Sequence, residues 1–569
     1  MRRRRTWSCP GGGPLEQHSA WQYLFTYVLA RCRVRVLDLF NQPGHRVEPH
    51  DGPPMSTDTR KGPSLMRDHL SRRGFLGLTA GAALLAGCGT GTASSGGSGG
   101  RLRAVFAGGG ATEVLDPHLA NLFNEAARAK ALYDKLADLG PDVSPQPRLA
   151  EKWEPNADFT LWRITLRQAQ FHDGRPVRAQ DVLASYARIT DPKKTFRAKS
   201  SLALIDLPNS RAVDDRTVEF RLKRPFAEFP NALAAFGAYI IPEGSTDFSK
   251  PVGSGPFSFV SWKPGSSVLL KRNPNYWEGA PYIEELEFLI ANEESARVNA
   301  LLGGQVEYAH DLTPASARQH EGRITITRAP NSAMHAFAMK VDRAPFDDRD
   351  LREALFLLTD RQQLVDTVMP GAGQIGNDLF GKGYLHYAES IPQRALDLDR
   401  AKSLIKKAGA NGLTIELTTS TAAAGFVEAA TVFADQLRAA GLKATIVNGS
   451  KDTYWSDILT KGSIASFRSG AMPIETHIAQ RLLSGSTTNA TKWARPEFDA
   501  LYETAVSARN PSDREAAYLK MQQLLHADGG LLVWGFADWI VATSPKVSGV
   551  QNAPANTLDW ARFDKVKLA

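Results

Sequence analysis

The sequence predicts an α/β protein with mixed sheets. Three observations point there. Period-2 and 3.6-period hydrophobic stretches interleave along the chain. Beyond position 88 some 480 residues remain, roughly enough for a large core in several lobes. That stretch contains no cysteine, since the three cysteines are Cys9, Cys32 and Cys88. Its stability must come from packing, because neither an internal disulfide nor a cysteine zinc site is available to it.

The elements follow in order. Arg101 to Ala107 reads as a strand that enters a glycine turn at Gly108 to Gly110. The stretches Leu161 to Arg167, Arg216 to Lys223 and Ser267 to Arg272 alternate apolar and polar residues, as half-buried strands do. Helical periods occur at Ala179 to Ile189, Glu294 to Leu302, Asp350 to Val368 and Asp397 to Lys407. Three more lie at Gly425 to Ala440, Pro496 to Ala508 and Ser512 to Ala527. Asp347 and Asp348 supply a helix start, and Gly409 or Gly412 a helix stop.

Ahead of this domain, Ser71 to Cys88 reads SRRGFLGLTAGAALLAGC. A twin-arginine pair, Arg72 and Arg73, precedes an apolar run of about a dozen residues, too short for a membrane span of ~20. A basic head, a short apolar run and a small-residue exit make a bacterial export signal. Its last residues, Leu85-Ala86-Gly87-Cys88, resemble a lipoprotein lipobox, which implies lipidation of Cys88. The tether at 88–100 is Gly/Ser-rich and reads as a flexible leash. A signal at 55–87 leaves residues 1–54 as a doubtful extension. Translation is expected to begin at Met55 or Met66, the alternative being a long n-region.

Charge excludes one class of partner. Residues 1–87 hold 13 Lys+Arg against 6 Asp+Glu, out of 68 and 60 in the whole chain. The remainder is nearly neutral, 55 against 54, so the net charge of +8 belongs to the leader and gives no footprint for nucleic acid.

From Arg148 the chain runs RLAEKWEPNADFTLWRITLRQAQFHDGRPVRAQDVLASYARI. Trp153 and Trp162 are core anchors, and His172-Asp173-Gly174 makes a turn. This segment resembles the signature region of bacterial extracellular solute-binding proteins of the peptide/nickel class (family 5). Further matching segments follow in the family's order: VGSGPF (Val252 to Phe257) leading to LLKRNPNYW (Leu269 to Trp277), RVNALLGGQVEY (Arg297 to Tyr308), APFDDRDLREALFLLTDRQQLV (Ala344 to Val365) and DLDRAKSLIKKAG (Asp397 to Gly409). The resemblance implies a class II periplasmic-binding-protein-like, three-lobed flytrap. Lobe I would take 101–131, 246–335 and 535–569, lobe II 132–245, and lobe III 336–534.

It also implies where a solute would sit. Oligopeptide-binding members pair the ligand's α-amino group with an aspartate in a segment shaped G-W-x-x-D. The matching residues here are Ser466-Phe467-Arg468-Ser469-Gly470, so the aromatic is kept as Phe467 and the acid is replaced by Gly470. A buried ammonium without a carboxylate is costly, which puts simple α-amino recognition in doubt. Dipeptide-specific members use an arginine in the region that here reads LTTSTAAAG (Leu417 to Gly425), without one. Looser carry-over places Asn121, His310, Asp311, Trp455, Phe467, Arg468 and Glu475 at the pocket. The bland alternatives are core packing for Trp455, a surface turn at His310-Asp311, and a structural pair between Arg468 and Glu475.

Two motif matches are discounted. Gly96 to Gly100 fits G-x-S-x-G but lies in the tether, and Gly371 to Gly376 fits G-x-G-x-x-G but follows a helix and Pro370. No Walker A or H-E-x-x-H sequence occurs. The expectation is therefore a monomeric, non-enzymatic, lipid-anchored solute receptor on the outer face of the cell membrane, with no cofactor or metal. Its partners would be a peptide or other polar solute and an ABC permease with its ATPase subunits. An extracellular peptide-signal sensor on the same fold is the alternative. A surface hydrolase would need a nucleophile–base pair that no motif supplies.

Overall fold

The computed structural model describes residues 99–108, 113–450 and 453–569. Arg72, Arg73, Cys88, the N-terminal 54 residues and most of the tether lie outside them. Strands β1 (Arg101–Phe106), β2 (Ala137–Leu139), β3 (Pro145–Pro147), β4 (Ala150–Pro155), β5 (Leu161–Leu166), β6 (Arg211–Asp214) and β7 (Thr217–Arg221) come first. They are followed by β8 (Phe257–Lys263), β9 (Ser267–Arg272), β10 (Glu285–Ile290), β11 (Tyr308–Ala309) and β12 (Thr325–Met339). Then come β13 (Gly373–Ile375), β14 (Thr414–Thr419), β15 (Lys443–Asn448), β16 (Ile464–Gly470) and β17 (Leu531–Thr543), and a short pair, β18 (Val547–Ser548) and β19 (Lys567–Leu568), ends the chain. The longer helices are α1 (Phe123–Leu132), α2 (Ala179–Thr190), α3 (Glu294–Leu302), α4 (Arg349–Leu358) and α5 (Arg361–Val368). After them come α6 (Leu398–Lys407), α7 (Phe426–Ala439), α8 (Ile474–Arg481), α9 (Pro496–Ser507) and α10 (Pro511–Asp528).

One large mixed sheet runs in the order β15-β14-β16-β12-β17-β11-β1-β10-β9-β8, with β13 added to β17. β1 is parallel to β10 and β11, and β14 is parallel to β15 and β16, whereas β12 lies antiparallel to both β16 and β17. The long strands β12 and β17 thus join the two halves of the sheet. A separate antiparallel sheet, β4-β5-β7-β6, is built on the 150–221 segment. Its alternation is plain in β5, where Trp162, Ile164 and Leu166 point inward. Trp162 is buried and Trp153 half-buried against the same core.

The helical expectations hold with one correction. The stretch Asp350 to Val368 is two helices rather than one. Asp360 accepts from the Gln363 N–H and starts α5, while the Thr359 hydroxyl donates back to Leu355 O. A side-chain cap inside an unbroken apolar period outcompetes continued helix. Asp348 caps α4 through the Leu351 N–H and Asp397 caps α6 through the Arg400 N–H. Gly371 to Gly376 contains β13, hydrogen-bonded to β17, and opens no helix.

The VGSGPF segment has a steric reason for its glycines. A Cβ on Gly253 would sit 2.0 Å from Leu132 O, and one on Gly255 2.5 Å from Leu132 C, both at the end of α1. Gly253→Ala should therefore lower stability by about 1–3 kcal/mol, since the obstacle is backbone. A urea unfolding midpoint equal to wild type would show that α1 can yield.

Candidate functional site

The junction of the two half-sheets is a bend. β12 and β17 lose register between Ala329 and Ala333, and Asn331 stands in the left-handed region at φ 55°. The Ser332 hydroxyl donates to Ala329 O at 2.8 Å, and the Asn331 N–H is held by Asp538 of β17. Burial raises the Asp538 carboxyl, with Arg328 opposing. A bulge of this kind kinks a strand pair.

On one side of the bend, β11 leads to His310 and Asp311. Arg297 of α3 donates to both of their carbonyls, at 3.0 and 2.9 Å, and so sets this turn. Asp311 adopts φ 58° and keeps solvent contact, although protein surrounds it on most sides. His310 does not line a surface turn; it is buried, with its ring stacked on Phe106 at 4.4 Å. Burial holds its imidazole well below the usual histidine range. Phe123, 37% exposed, covers it together with Trp539 and Trp560. His310 Nε2, Trp539 Nε1 and Trp560 Nε1 are buried without a hydrogen-bond partner. Leu119 and Leu122, just before Phe123 in the chain, are also exposed apolar side chains.

On the other side stands Arg468 in β16, directly opposite His335 of β12. No hydrogen bond or ion pair engages the Arg468 guanidinium among the described residues. Burial lowers its pKa, and the charge that most opposes this is Asp311 across the bend. Asp311 reciprocates: burial raises its carboxyl and Arg468 is the foremost influence pulling it down. Each charge shifts the other's pKa across the bend, and the two form no ion pair.

The remaining sequence-derived residues are dispersed around this point. Asn121 is exposed and accepts from Arg197 Nη1 at 3.3 Å. Trp455 is 43% exposed, with its ring edge-on to Phe426 at 5.8 Å, so it is not pure core. Phe467 is buried on the face of β16 opposite Arg468, with the Arg481 guanidinium 5.8 Å from its ring centre. Glu475 does not pair with Arg468. It is buried, accepting from Tyr502 Oη at 2.7 Å and from Thr476 Oγ1 at 2.9 Å.

Sequence reasoning missed Phe123, His335, Arg481, Trp539 and Trp560. Their roles depend on strand register and on the bend, which have no local signature. No three His, Cys, Asp or Glu side chains converge as a metal site among the described residues. A cavity beneath α1, lined by Asp134, Arg148, Tyr276 and Arg562, belongs to the scaffold because its charges satisfy one another. Asp134 accepts from Tyr276 and Ser254 at 3.0 Å, and Glu278 receives both Arg148 and Arg562. No helix among the described residues is long and apolar enough to cross a membrane.

This architecture has known counterparts. Residues 144–490 match the family described as bacterial extracellular solute-binding proteins, family 5 middle region. The chain is 27% identical over 506 residues to di/tripeptide-binding protein 2 of Pseudomonas aeruginosa, covering 80% of this chain and 93% of that one. It is 24% identical over 489 residues to the glutathione-binding protein GsiB of Pectobacterium atrosepticum, covering 81% and 94%. Its fold superposes on the ABC transporter substrate-binding protein CtaP of Listeria monocytogenes with a TM-score of 0.74, at 22% identity, covering 83% and 99%. The periplasmic binding protein DppA of Helicobacter pylori, solved with peptide STSA, gives 0.69 at 22% identity, covering 82% and 98%. The class II binding-protein fold expected from the sequence is thus the fold observed, and the chain belongs to the bacterial extracellular solute-binding proteins of family 5.

Proposed function

We propose that this protein is a lipid-anchored, extracytoplasmic receptor of an ABC importer. It captures a peptide or similar polar solute by closing the bend between its two half-sheets and delivers it to a membrane permease. One observation carries the reading: Asp311 and the unpaired Arg468 face each other across a bulged two-strand junction, in a chain of a solute-binding family. The curated relatives named for di- and tripeptides and for glutathione support a peptide-like ligand. A hinge of this kind needs no catalysis, only a solute that binds the closed state more tightly than the open one.

In this reading Cys88 carries the lipid, Arg72 and Arg73 direct export, and the tether lets a monomer reach its permease. Lobe I spans 101–131, 246–335 and 535–569, lobe II 132–245 and lobe III 336–534, so that Asp311 belongs to lobe I and Arg468 to lobe III. Thermal unfolding of residues 88–569 against a di- to pentapeptide library tests it. A ligand at 100 times its dissociation constant adds about 2.7 kcal/mol of stability. A protein that no member of the library stabilises would refute the receptor reading. Trp455→Ala should weaken an identified ligand about tenfold, the effect of losing an aromatic contact worth 0.5–1.5 kcal/mol beyond its area. Equal affinity would move the pocket away from Trp455.

A further inference from the structure

The tip of β16 carries polar groups for which the described residues provide no hydrogen-bond partner. Arg468 points from one face with its guanidinium unengaged, beside His335, whose Nδ1 is also buried without a partner. The first turn of α7 begins next to that histidine. Its cap is Gly425, which has no side chain to satisfy the leading N–H groups, and a Cβ there would lie 3.9 Å from His335 Cε1. On the other face, Ser469 Oγ and Arg481 Nε are buried and unpartnered. At the end of the strand is Gly470, where an added Cβ would meet nothing within 4 Å.

Buried polar groups are nearly always satisfied, so the unengaged Arg468 and the orphaned His335 nitrogen beside it, on one face of the sheet, ask for an occupant. Guanidinium and N–H groups only donate, so the matching occupant is an acceptor, and best an anion. Among the described residues the acid whose charge Arg468 senses is Asp311, across the bend and unpaired with it. Phe123, which packs on His310 next to Asp311, is exposed and apolar.

We infer that the solute is a carboxylate-bearing molecule with an apolar body, its carboxylate received by Arg468 at the tip of β16 and its apolar part lying against Phe123. This rests on the receptor reading above and specifies its ligand. A carboxylate between a guanidinium and an open helix N-terminus forms charge-assisted bonds and benefits from the helix dipole. Asp311, brought near on closure, has to face away from that carboxylate, since two like charges would otherwise oppose closure.

The experiment uses N-acetylated tripeptide amides that differ only at one residue, Glu, Gln or Lys, in several sequence backgrounds. These probes carry no amino terminus and no carboxy terminus, so the varied side chain is the only carboxylate. Titration calorimetry should show the Glu member binding about tenfold or more tightly than its Gln partner, the range of one hydrogen bond to a charged group. Arg468→Gln should erase that preference. Gly470→Asp should do the same by a second route, since it places a carboxylate two residues along the same strand face, in open space. A Gln or Lys member that binds as tightly as Glu would overturn the inference, as would a Glu preference that survives in both variants. If free peptides stabilise the wild type and the Arg468→Gln protein alike and no acidic probe binds, the assignment of a carboxylate to Arg468 is wrong and the receptor reading stands. If nothing binds, both fail.

Discussion

Asp378→Ala should destabilise the protein by about 3–5 kcal/mol, the cost of stranding buried charge. Asp378 is fully buried between two arginines. Arg361 of α5 holds it with Nη2 at 2.8 and 2.7 Å to its two oxygens, and Arg394 reaches it with Nε at 2.7 Å. Arg361 is itself buried and also donates to Phe356 O, while Arg394 continues to His526 O near the end of α10. One carboxylate therefore ties the start of α5 to the last turn of α10. Its removal leaves two guanidiniums facing each other without a counter-charge. Replacing all three residues with apolar side chains of similar size should cost less than the single change, because no charge is then left in the interior. Urea midpoints of both variants test this. A single variant within ~0.5 kcal/mol of wild type would mean that water reaches the guanidiniums, contrary to their burial.

The sequence made local periodicity legible and left long-range register hidden. The alternation over Ser267 to Arg272 predicts β9, and the strand lies there with Val268 and Leu270 buried. α6 was read from its apolar stripe and ends as expected at Gly409, at φ 65°. The break at Thr359 and Asp360 was not, since the apolar period continues across it and only the Asp360 cap interrupts the helix. The site divides in the same way. Arg468 and Asp311 follow from a loose carry-over of the family resemblance. That they face each other depends on a bulge centred on Asn331 and on β12 lying between β16 and β17, neither of which any short segment encodes. His335 sits in the apolar run Ala333 to Met339 and reads as an ordinary strand residue until its partner across the ladder is known.

Glu475, which the sequence places at the pocket near Arg468, is held instead by Tyr502 and Thr476. Burial, and then the nearby Glu228, push its carboxyl up to about 7, with the hydrogen bonds from Tyr502 and Thr476 pulling the other way. The folded protein thus keeps a proton that the unfolded chain releases near pH 4.5. Stability is fully present below that unfolded value and falls as pH rises toward 7, by about 3 kcal/mol in total. His386 adds to the same trend. Glu228 at Nε2 and Glu515 at Nδ1, each 2.7 Å away, raise its pKa against the effect of burial, so its contribution also fades as pH rises through its folded value. Glu475→Gln keeps an acceptor for Tyr502 and supplies an amide N–H toward Thr476, without a proton to lose. It should match wild type near pH 4.5 and exceed it by up to ~3 kcal/mol at pH 8, leaving only the shallower slope due to His386. Parallel stability curves for the two proteins across that range would show that Glu475 is ionised in the fold. The contact at stake joins the Glu228 segment to His386 and to Tyr518 of α10. Acid should therefore tighten this junction and alkali loosen it, independently of any solute at Arg468.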